Sequence, residues 1–309
     1  MGGARGEDGV NGAVAVGVFD GVHRGHVALL ERAVALAAGG PCVAVSFEPH
    51  PDIVLARTFK PLAPLTPLPE KYARFAALGV DLHVLPFTRE LAALEPEAFV
   101  TQHLVTPFAP RWLVVGEDFA LGRGRAGNVA RLRELGATHG FQVEALPLLV
   151  HGGEPVTSTR VRGLLAEGRV AEVADLLGEP YTLAGHVVGG ERVGRTLGFP
   201  TANLQLHDEQ LVPTNGIYAV RVRIAGEHEW RLAAMSIGVR PTFGGTVRTL
   251  EVHLLDWDGD LYGRDLTVAF IDWLRGEERF DGVEPLIAQM TADCAEARVR
   301  LAASPYLRG

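Results

Sequence analysis

The chain contains 309 residues, with 29 Lys and Arg against 37 Asp and Glu, which gives a formal net charge of −8. This acidic balance argues against a protein that mainly binds nucleic acid, because contact with a phosphate backbone requires clustered Lys and Arg. The two cysteines, Cys42 and Cys294, lie far apart, so neither a disulfide framework nor a cysteine zinc site is supported. At about 150 residues per domain, the length predicts two domains.

Residues 1–12 are rich in glycine and lack an apolar stretch, and we interpret them as a disordered tail and not as a secretory signal. The longest stretch without Asp, Glu, Lys or Arg, Ala33–Phe47, is interrupted by two glycines and a proline. It is shorter than the roughly 18 apolar residues of a membrane span. The sequence therefore predicts no transmembrane helix, no membrane partner and a cytoplasmic location.

Between residues 13 and 180, short apolar runs alternate with segments of helical periodicity. The strand-like runs are Ala13–Val18, Cys42–Phe47, Asp81–Pro86, Trp112–Gly116 and Gln142–Pro147. The helix-like segments are His26–Ala38, Pro69–Leu78, Pro96–Val105 and Asn128–His139. Strands that alternate with helices of this length predict parallel βαβ units in an α/β domain. Ligands of such sheets bind at the carboxyl ends of the strands.

The segment Gly17–His26 directly follows the first predicted strand and opens the first predicted helix. Backbone N–H groups at a helix N-terminus attract phosphate, and Gly21 and Gly25 would let a ligand approach the backbone closely. His23 and His26 are three residues apart, so both can face one phosphate chain. A lone histidine is more often structural, but two histidines in a glycine-bounded turn predict a phosphate site.

The spacing of His23 and His26 resembles the His-x-Gly-His signature of the nucleotidylyltransferase superfamily, whose histidines stabilise charge on a nucleoside triphosphate. The longer string Gly-Val-Phe-Asp-Gly-Val-His-Arg-Gly-His is similar to the amino-terminal half of bacterial bifunctional riboflavin kinase/FAD synthetases. Residues 157–162, Thr-Ser-Thr-Arg-Val-Arg, resemble the second superfamily motif, Ser-Ser-Thr-x-Ile-Arg. Its hydroxyl residues can cap a helix and its arginine can bind phosphate oxygens.

The resemblance implies that His23, His26 and Arg162 stabilise charge during adenylyl transfer. The residues that it assigns to nucleotide binding in this domain are Gly17, Phe19, Asp20, Gly21, Gly25, Asp118, Ser158 and Thr159. Asp118 departs from relatives that carry Asn at this place. The choice between adenine and ribose positioning therefore stays open for Asp118.

From residue 181 onward the pattern changes. In Ile217–Ile224, apolar residues alternate with alanine and arginine, which is typical of a half-buried strand in an antiparallel sheet. Similar runs occupy Leu183–Val188, Arg231–Ile237, Thr249–Asp256 and Leu266–Asp272. Val283–Leu301 carries apolar residues at spacings of three and four, which predicts one amphipathic helix. Residues 181–309 are therefore expected to form a small antiparallel barrel or sandwich closed by a C-terminal helix.

The segment Gly194–Asn203 resembles the signature of riboflavin kinases, whose Pro-Thr-Ala-Asn stretch supplies ligands to the metal of MgATP. The resemblance assigns Thr201 and Asn203 to Mg²⁺, and Gly194 and Arg195 to the nucleotide. Oxygen donors suit Mg²⁺, which keeps most of its ligands from phosphate and water.

A glutamate begins the Glu-x-His segment of riboflavin kinases and acts as the general base on the ribityl hydroxyl. The resemblance therefore assigns this role to Glu251, which begins Glu-Val-His in this sequence. From the strand pattern alone, Glu251 would be a solvent-facing residue without a chemical role.

Two further glycine-rich segments have the letters of nucleotide motifs but the wrong context. Gly189–Thr196 has P-loop spacing, but Arg195 replaces the lysine and Pro200 blocks the helix that should follow. Gly122–Gly127 spells the dinucleotide fingerprint, but it begins well after the predicted strand end at Gly116, where the tight turn needs a glycine at once. The resemblance instead implies a flexible loop near the phosphates or the incoming FMN.

The resemblance covers about Ala13 to Arg300 and implies a fold of two parts. These are an α/β domain over 13–180, Rossmann-like and of the nucleotidylyltransferase type, and a small β-barrel riboflavin kinase domain over 181–309. The implied enzyme phosphorylates riboflavin to FMN and adenylylates FMN to FAD, with ATP as co-substrate and Mg²⁺ as metal. The alternatives are a chain with one active half and a non-catalytic flavin sensor. A homo-oligomer is left open.

Overall fold

The computed structural model describes residues 12–56, 58, 62–189, 194, 197–242 and 245–306. The chain divides after Thr157 into two compact units, which we call the N-terminal unit and the C-terminal unit. Among these residues, no helix is both long and apolar enough to cross a membrane. The tail predicted for residues 1–12 lies outside the described part, except for Gly12.

The N-terminal unit is built on a parallel sheet of five strands. These are β1 (Ala13–Val16), β2 (Cys42–Glu48), β3 (Asp81–Pro86), β4 (Trp112–Gly116) and β7 (Gln142–Leu146). Two small antiparallel ribbons accompany the sheet, β5 (Ala120–Leu121) with β6 (Gly127–Asn128), and β8 (Val150–His151) with β9 (Glu154–Pro155). The α/β domain and all five predicted strands are confirmed, because each observed strand overlaps its predicted range.

The strand order of the sheet is β3-β2-β1-β4-β7. From the central strand β1, the chain builds the sheet first towards β2 and β3, and later, on the other side, through β4 and β7. The neighbours β1 and β4 therefore form the switch point, and α/β sheets bind ligands beyond the carboxyl ends of such strands. The topology thus places a candidate site after Val16 and Gly116.

The two faces of β1 are packed differently. Val14 and Val16 belong to one buried cluster with Phe99, whereas Ala13 and Ala15 belong to a second cluster with Leu30. Because both faces of the strand are covered, the strand is apolar throughout. The small alanines also let the first helix approach the sheet closely.

The helices described in the N-terminal unit are α1 (Arg24–Ala37), α2 (Pro51–Leu55), α3 (Leu68–Ala77), α4 (Arg89–Ala92), α5 (Pro96–Val100), α6 (Thr106–Phe108) and α7 (Val129–His139). The four predicted helical segments overlap α1, α3, α5 and α7, whereas the short helices α2, α4 and α6 were not predicted. The single helix predicted for Pro96–Val105 is wrong in its second half, where Thr101–Val105 forms a π-helical segment. A π-helical turn repeats at a slightly longer period than an α-helix, so apolar spacing does not distinguish the two.

The C-terminal unit contains a closed antiparallel barrel. Its strands are β10 (Thr182–Val188), β11 (Ala202–Leu206), β12 (Gly216–Ile224), β13 (Arg231–Thr242), β14 (Gly245–Leu254) and β15 (Asp265–Arg275). Their order is β10-β11-β14-β13-β12-β15, and β15 pairs with β10 to close the barrel. This closure decides between the barrel and the sandwich that the sequence left open.

Among the described residues of the C-terminal unit, the barrel is accompanied by α8 (Ser158–Ala166), α9 (Val170–Leu177) and α10 (Val283–Ala303). The predicted C-terminal helix is therefore confirmed. By packing, α8 and α9 belong with the barrel, since the Leu165 carbonyl accepts a hydrogen bond from the Thr214 N–H at 3.0 Å. A boundary at 180/181 between two folding units stays a prediction.

A close backbone contact in the barrel generates a stability prediction. A Cβ on Gly185 of β10 would collide with the backbone carbonyl of Gln205 on β11. We expect Gly185→Ala to lower the free energy of unfolding by roughly 1–3 kcal/mol, because the strands must separate to admit the methyl group. Urea denaturation of the full chain measures this loss.

The matched control is Gly163→Ala in α8, where nothing lies within 4 Å of the added Cβ. Alanine is a better helix former than glycine, so this variant should gain about 0.5–1 kcal/mol. Equal losses in both variants would contradict the role given to the Gly185 contact.

Candidate functional site

The turn between β1 and α1, residues 17–23, has an unusual backbone. Phe19 and Val22 adopt left-handed conformations with φ of 53° and 40°, and Gly21 lies between them at 86°. Non-glycine residues pay for this conformation, and such strain persists only where the surroundings enforce it. The contacts around the turn must therefore hold this conformation in place.

His23 and His26 meet at the start of α1, as the motif predicts. His23 is the N-cap residue, and its Nδ1 accepts the backbone N–H of His26 at 3.3 Å. The two rings stack at 3.6 Å between centroids, with 16° between their planes. Because Nδ1 of His23 accepts this bond, the neutral ring carries its proton on Nε2 and can donate from there.

Both histidines are held in the neutral form. Burial lowers the pKa of His23 from 6.5 to about 4, against the opposing attraction of Asp20. Burial also lowers the pKa of His26 well below 6.5, and the charges of His23 and Lys71 act in the same direction. Nδ1 of His26 is enclosed and has no hydrogen-bond partner among the described residues. At neutral pH the pair therefore offers N–H dipoles and no net charge.

The glycines predicted to approach a ligand also make room for the turn itself. A Cβ on Gly25 would lie 3.2 Å from the His23 ring, and a Cβ on Gly17 would lie 3.0 Å from the Phe19 ring. A Cβ on Gly21 would lie 3.0 Å from the Leu65 side chain. Their predicted contact with a nucleotide stays a prediction.

Phe19 and Asp20, which the resemblance assigned to the nucleotide, are buried in the structure at 1% and 3% exposure. The Phe19 ring packs edge-on against His26 at 5.3 Å. The Asp20 carboxylate accepts the Leu65 N–H at 2.8 Å. Both side chains shape the turn from within, and their predicted nucleotide contacts remain untested.

A buried lysine, which the sequence reasoning missed, lies beneath the turn. Lys71 of α3 is 4% exposed, and its Nζ donates to the Val18 carbonyl at 3.1 Å. The Ser46 hydroxyl donates to the same carbonyl at 2.9 Å. The signal was available, because Lys71 lies four residues before the core residue Phe75 on the apolar face of α3.

Asp118 follows β4 at the same edge of the sheet at which the histidine turn follows β1. Its backbone carbonyl accepts a hydrogen bond from Arg125 at 2.9 Å. The Arg/Gly loop 122–127 forms a short 3₁₀ turn between β5 and β6, with Arg123 paired to Glu95 at 2.9 Å. This loop is not the tight turn of a dinucleotide site.

Ser158 and Thr159 occupy the first turn of α8, and Arg162 follows one turn later on the side of Ser158. The hydroxyls and the guanidinium can thus face one ligand together. Because α8 packs with the C-terminal unit, the approach of these residues to the histidines stays a prediction.

A second cluster lies on the outer face of the barrel. Ala202 and Leu204 of β11 point inward and are buried, so Thr201 and Asn203 face outward. Asn203 lies opposite Glu251 of β14. The Thr201 hydroxyl donates to Oε2 of Glu251 at 3.4 Å. Strand pairing therefore brings together the three residues that the resemblance assigned to the metal and to base catalysis.

The backbone before Thr201 is folded tightly against Gly194. The Gly194 carbonyl accepts the Phe199 N–H at 2.8 Å, and a Cβ on Gly194 would collide with the Phe199 carbonyl. Arg195, the other predicted nucleotide contact, lies outside the described residues. The predicted roles of both residues are untested.

A cavity of about 600 Å³ lies beside this cluster. Phe199, Pro200 and Trp257 supply apolar walls, and His253 and Arg298 are among its polar residues. His253 is fixed by a contact of 2.8 Å between its Nδ1 and the Pro200 carbonyl oxygen. Two of its lining residues are neighbours of the cluster in the chain, since Pro200 precedes Thr201 and His253 lies two residues after Glu251.

Comparison with known proteins connects both clusters to one family. The FAD synthetase family model matches residues 7–160, and the riboflavin kinase family model matches residues 177–301. The bifunctional riboflavin kinase/FMN adenylyltransferase of Escherichia coli K12 is 41% identical over 286 residues, which cover 92% of this chain and 90% of that protein. The chain belongs to the bifunctional riboflavin kinase/FMN adenylyltransferase family.

A second relative has the same name, and a solved structure with a different name has the same fold. The protein of the same name from Pseudomonas fluorescens is 42% identical over 297 residues, which cover 94% of this chain and 93% of that protein. A solved structure from Streptococcus pneumoniae, named macrolide-efflux protein, superposes with a TM-score of 0.86 at 30% identity over 95% of both chains. The predicted family and fold are confirmed, and the chain is an enzyme with FAD synthetase and riboflavin kinase domains.

The neutral histidines generate a prediction about pH and stability. Below pH 6.5 the unfolded chain protonates His23, whereas the folded chain does so only near pH 4. The free energy of unfolding should therefore fall by roughly 2–3 kcal/mol on account of His23 as the pH drops from 6.5 to 4. His23→Asn, which keeps an N-cap, should remove this part of the slope in urea denaturation at stepped pH.

His228→Asn serves as the control, because His228 is exposed. This variant should keep the wild-type slope. A His23→Asn protein whose stability depends on pH as steeply as the wild type would contradict the buried, neutral state of His23.

Proposed function

We propose that the β1–α1 turn of the N-terminal unit is the site where ATP is cleaved to adenylylate FMN. An oxygen of the FMN phosphate attacks the α-phosphorus of ATP, the bond between that phosphorus and the bridging oxygen breaks, and pyrophosphate leaves with the electron pair. The FMN phosphate is already an anion, so the reaction needs no protein nucleophile. The observation that carries the proposal is the neutral, stacked His23–His26 pair capping α1 at the switch point.

The histidines contribute by hydrogen bonding and position. Nε2 of His23 carries a proton, because Nδ1 accepts the His26 N–H, and this proton can be donated to a phosphate oxygen. The N-terminus of α1 adds backbone N–H groups and the positive end of the helix dipole. Preorganised donors of this kind stabilise charge that develops on the leaving pyrophosphate. The resemblance adds Arg162, with Ser158 and Thr159, as further phosphate ligands.

We propose that Glu251 is the base of the riboflavin kinase step. It accepts the proton of the ribityl 5′-hydroxyl while that oxygen attacks the γ-phosphorus of ATP, and ADP leaves. One carboxylate aimed at a hydroxyl is sufficient, because positioning and electrostatics dominate phosphoryl transfer. The support is the outward position of Glu251 between Asn203 on β11 and Ser236 on β13, two residues before His253, which lines the cavity. That cavity is proposed to hold the ring of one substrate.

Thr201 and Asn203 are proposed to hold Mg²⁺ together with the phosphates of ATP. Both offer neutral oxygen donors on one face of the barrel, which suits this metal. Within the described residues, no group of three or more His, Cys, Asp or Glu side chains is arranged to bind a metal ion. A cation here would therefore take most of its ligands from substrate and water. When bound, Mg²⁺ neutralises phosphate charge.

Separate substitutions should separate the two activities. Glu251→Gln should lower the rate of FMN formation roughly 10²- to 10⁴-fold, because the general base is lost, and should still convert supplied FMN to FAD. His26→Ala should lower FAD formation roughly 10²- to 10³-fold and leave riboflavin phosphorylation intact. Chromatography of FMN and FAD after incubation with ATP and Mg²⁺ measures both steps.

Urea denaturation of each variant is the folding control, because each activity reports only on its own unit. Loss of both activities in both variants would contradict the assignment of one chemistry to each domain. Wild-type protein that makes FMN but no FAD would favour the alternative in which only one half is active.

The metal ligands generate a separate prediction. Thr201→Val and Asn203→Ala should each raise the Mg²⁺ concentration for half-maximal riboflavin phosphorylation by about tenfold, because one oxygen ligand is lost. Gln205→Ala is the control, since Gln205 is exposed on the same strand. An unchanged Mg²⁺ titration in both ligand variants would rule out this metal site.

A further inference from the structure

Lys71 has no role in the two proposed sites, yet burying its ammonium group costs the free energy of its hydration. Among the described residues of the N-terminal unit, it is the one buried Lys or Arg. Lysine is almost never fully buried unless a partner compensates for lost hydration. The same face of α3 carries the fully buried Phe75 one turn later, so an apolar residue would have served packing equally well. The ammonium group is therefore the reason for a lysine here.

The first consequence of this placement is mechanical. Lys71 and Ser46, from α3 and β2, both donate to the Val18 carbonyl. The N–H of Phe19 belongs to the same planar peptide and points the opposite way, so fixing this carbonyl also fixes the first N–H of the strained turn. Phe19, the next residue in the chain, has the left-handed conformation. The side chains of Lys71 and Ser46, from two separate elements, thus fix the backbone at Val18, where the turn begins.

The second consequence is electrostatic. Burial lowers the pKa of Lys71, and attraction from Asp20 and Glu48 opposes this effect. The histidine pair is neutral, and the Asp20 carboxyl group, which attracts His23 and Lys71, is buried beneath the turn. Without Lys71, no buried Lys or Arg among the described residues of the N-terminal unit would be available to attract a triphosphate that carries several negative charges. In a poorly solvated site, one cation changes the binding of such an anion strongly.

We propose that Lys71 is an electrostatic positioning residue of adenylyl transfer, which holds the turn through Val18 and supplies the buried positive charge for binding the triphosphate of ATP. This inference rests on the proposed placement of ATP at the β1–α1 turn. It assigns to Lys71 a role in affinity for ATP, whereas the histidines act on the developing charge of the leaving group.

The test compares Lys71→Met, Lys71→Gln and Lys71→Arg with Ser46→Ala in the full-length enzyme. Lys71→Met and Ser46→Ala each remove one donor to the Val18 carbonyl, but only the first removes a charge. We expect Lys71→Met and Lys71→Gln to raise the KM for ATP in FAD formation by about tenfold or more, with a smaller change in kcat. Lys71→Arg should restore most of the affinity, and Ser46→Ala should change KM less than about threefold.

Two measurements separate charge from structure. Urea denaturation of the same preparations reports whether the N-terminal unit, which contains Lys71 and Ser46, is folded. Binding of inorganic tripolyphosphate, measured by calorimetry, reports affinity for the anion alone. Weaker tripolyphosphate binding in both uncharged variants, with recovery in Lys71→Arg, supports the inference. Equal losses in Lys71→Met and Ser46→Ala, or no recovery in Lys71→Arg, would reduce Lys71 to a structural support and overturn it.

His26→Ala distinguishes failure of this inference from failure of the proposed site. If His26→Ala abolishes FAD formation while both uncharged Lys71 variants keep the wild-type KM for ATP, the role of Lys71 is refuted and the site stands. If FAD formation survives His26→Ala and the Lys71 variants alike, ATP does not bind at this turn, and both proposals fall.

Discussion

The turn that follows β1 imposes the main physical constraint on the N-terminal unit. It presents the start of α1 and two histidines at the edge of the sheet, and for this the backbone adopts a left-handed conformation at Phe19 and Val22. Local sequence does not favour that shape, so the surroundings must enforce it. Val18 is held from β2 and α3, and Asp20 is held by the backbone at Leu65. The site therefore exists only once the sheet and its covering helix have assembled.

In the barrel, the alternation of side chains along each strand places the candidate site residues. Residues of its strands alternate between the apolar interior and the outer face, so filling the interior with Ala202, Leu204 and Val252 places their neighbours outside. Those neighbours are Asn203 and Glu251, which strand pairing puts opposite each other. One unit thus places its candidate site residues at strand ends, and the other places them on strand faces.

Much of the architecture was readable from local pattern. Apolar runs and helical spacing located all five strands of the parallel sheet, and period-two alternation located strands such as Ile217–Ile224 of the barrel. Two features that the sequence pattern did not reveal have simple local explanations. The π-helical segment at Thr101–Val105 has nearly helical spacing, and the paired ribbons are only two residues long on each side. The barrel and the sandwich share one alternating pattern, so only the pairing of β15 with β10 distinguished them.

The sequence by itself determined the type of each domain and predicted the motifs of its candidate site, because residue spacing and glycine placement act over a few neighbours. Only the tertiary structure decided that the histidines are neutral, that Phe19 and Asp20 support the turn from within, and that Lys71 lies beneath it. These properties depend on burial and on partners distant in the chain. Hydration and Coulomb attraction are set by which groups the fold brings together, and a pattern read along one chain does not contain that information.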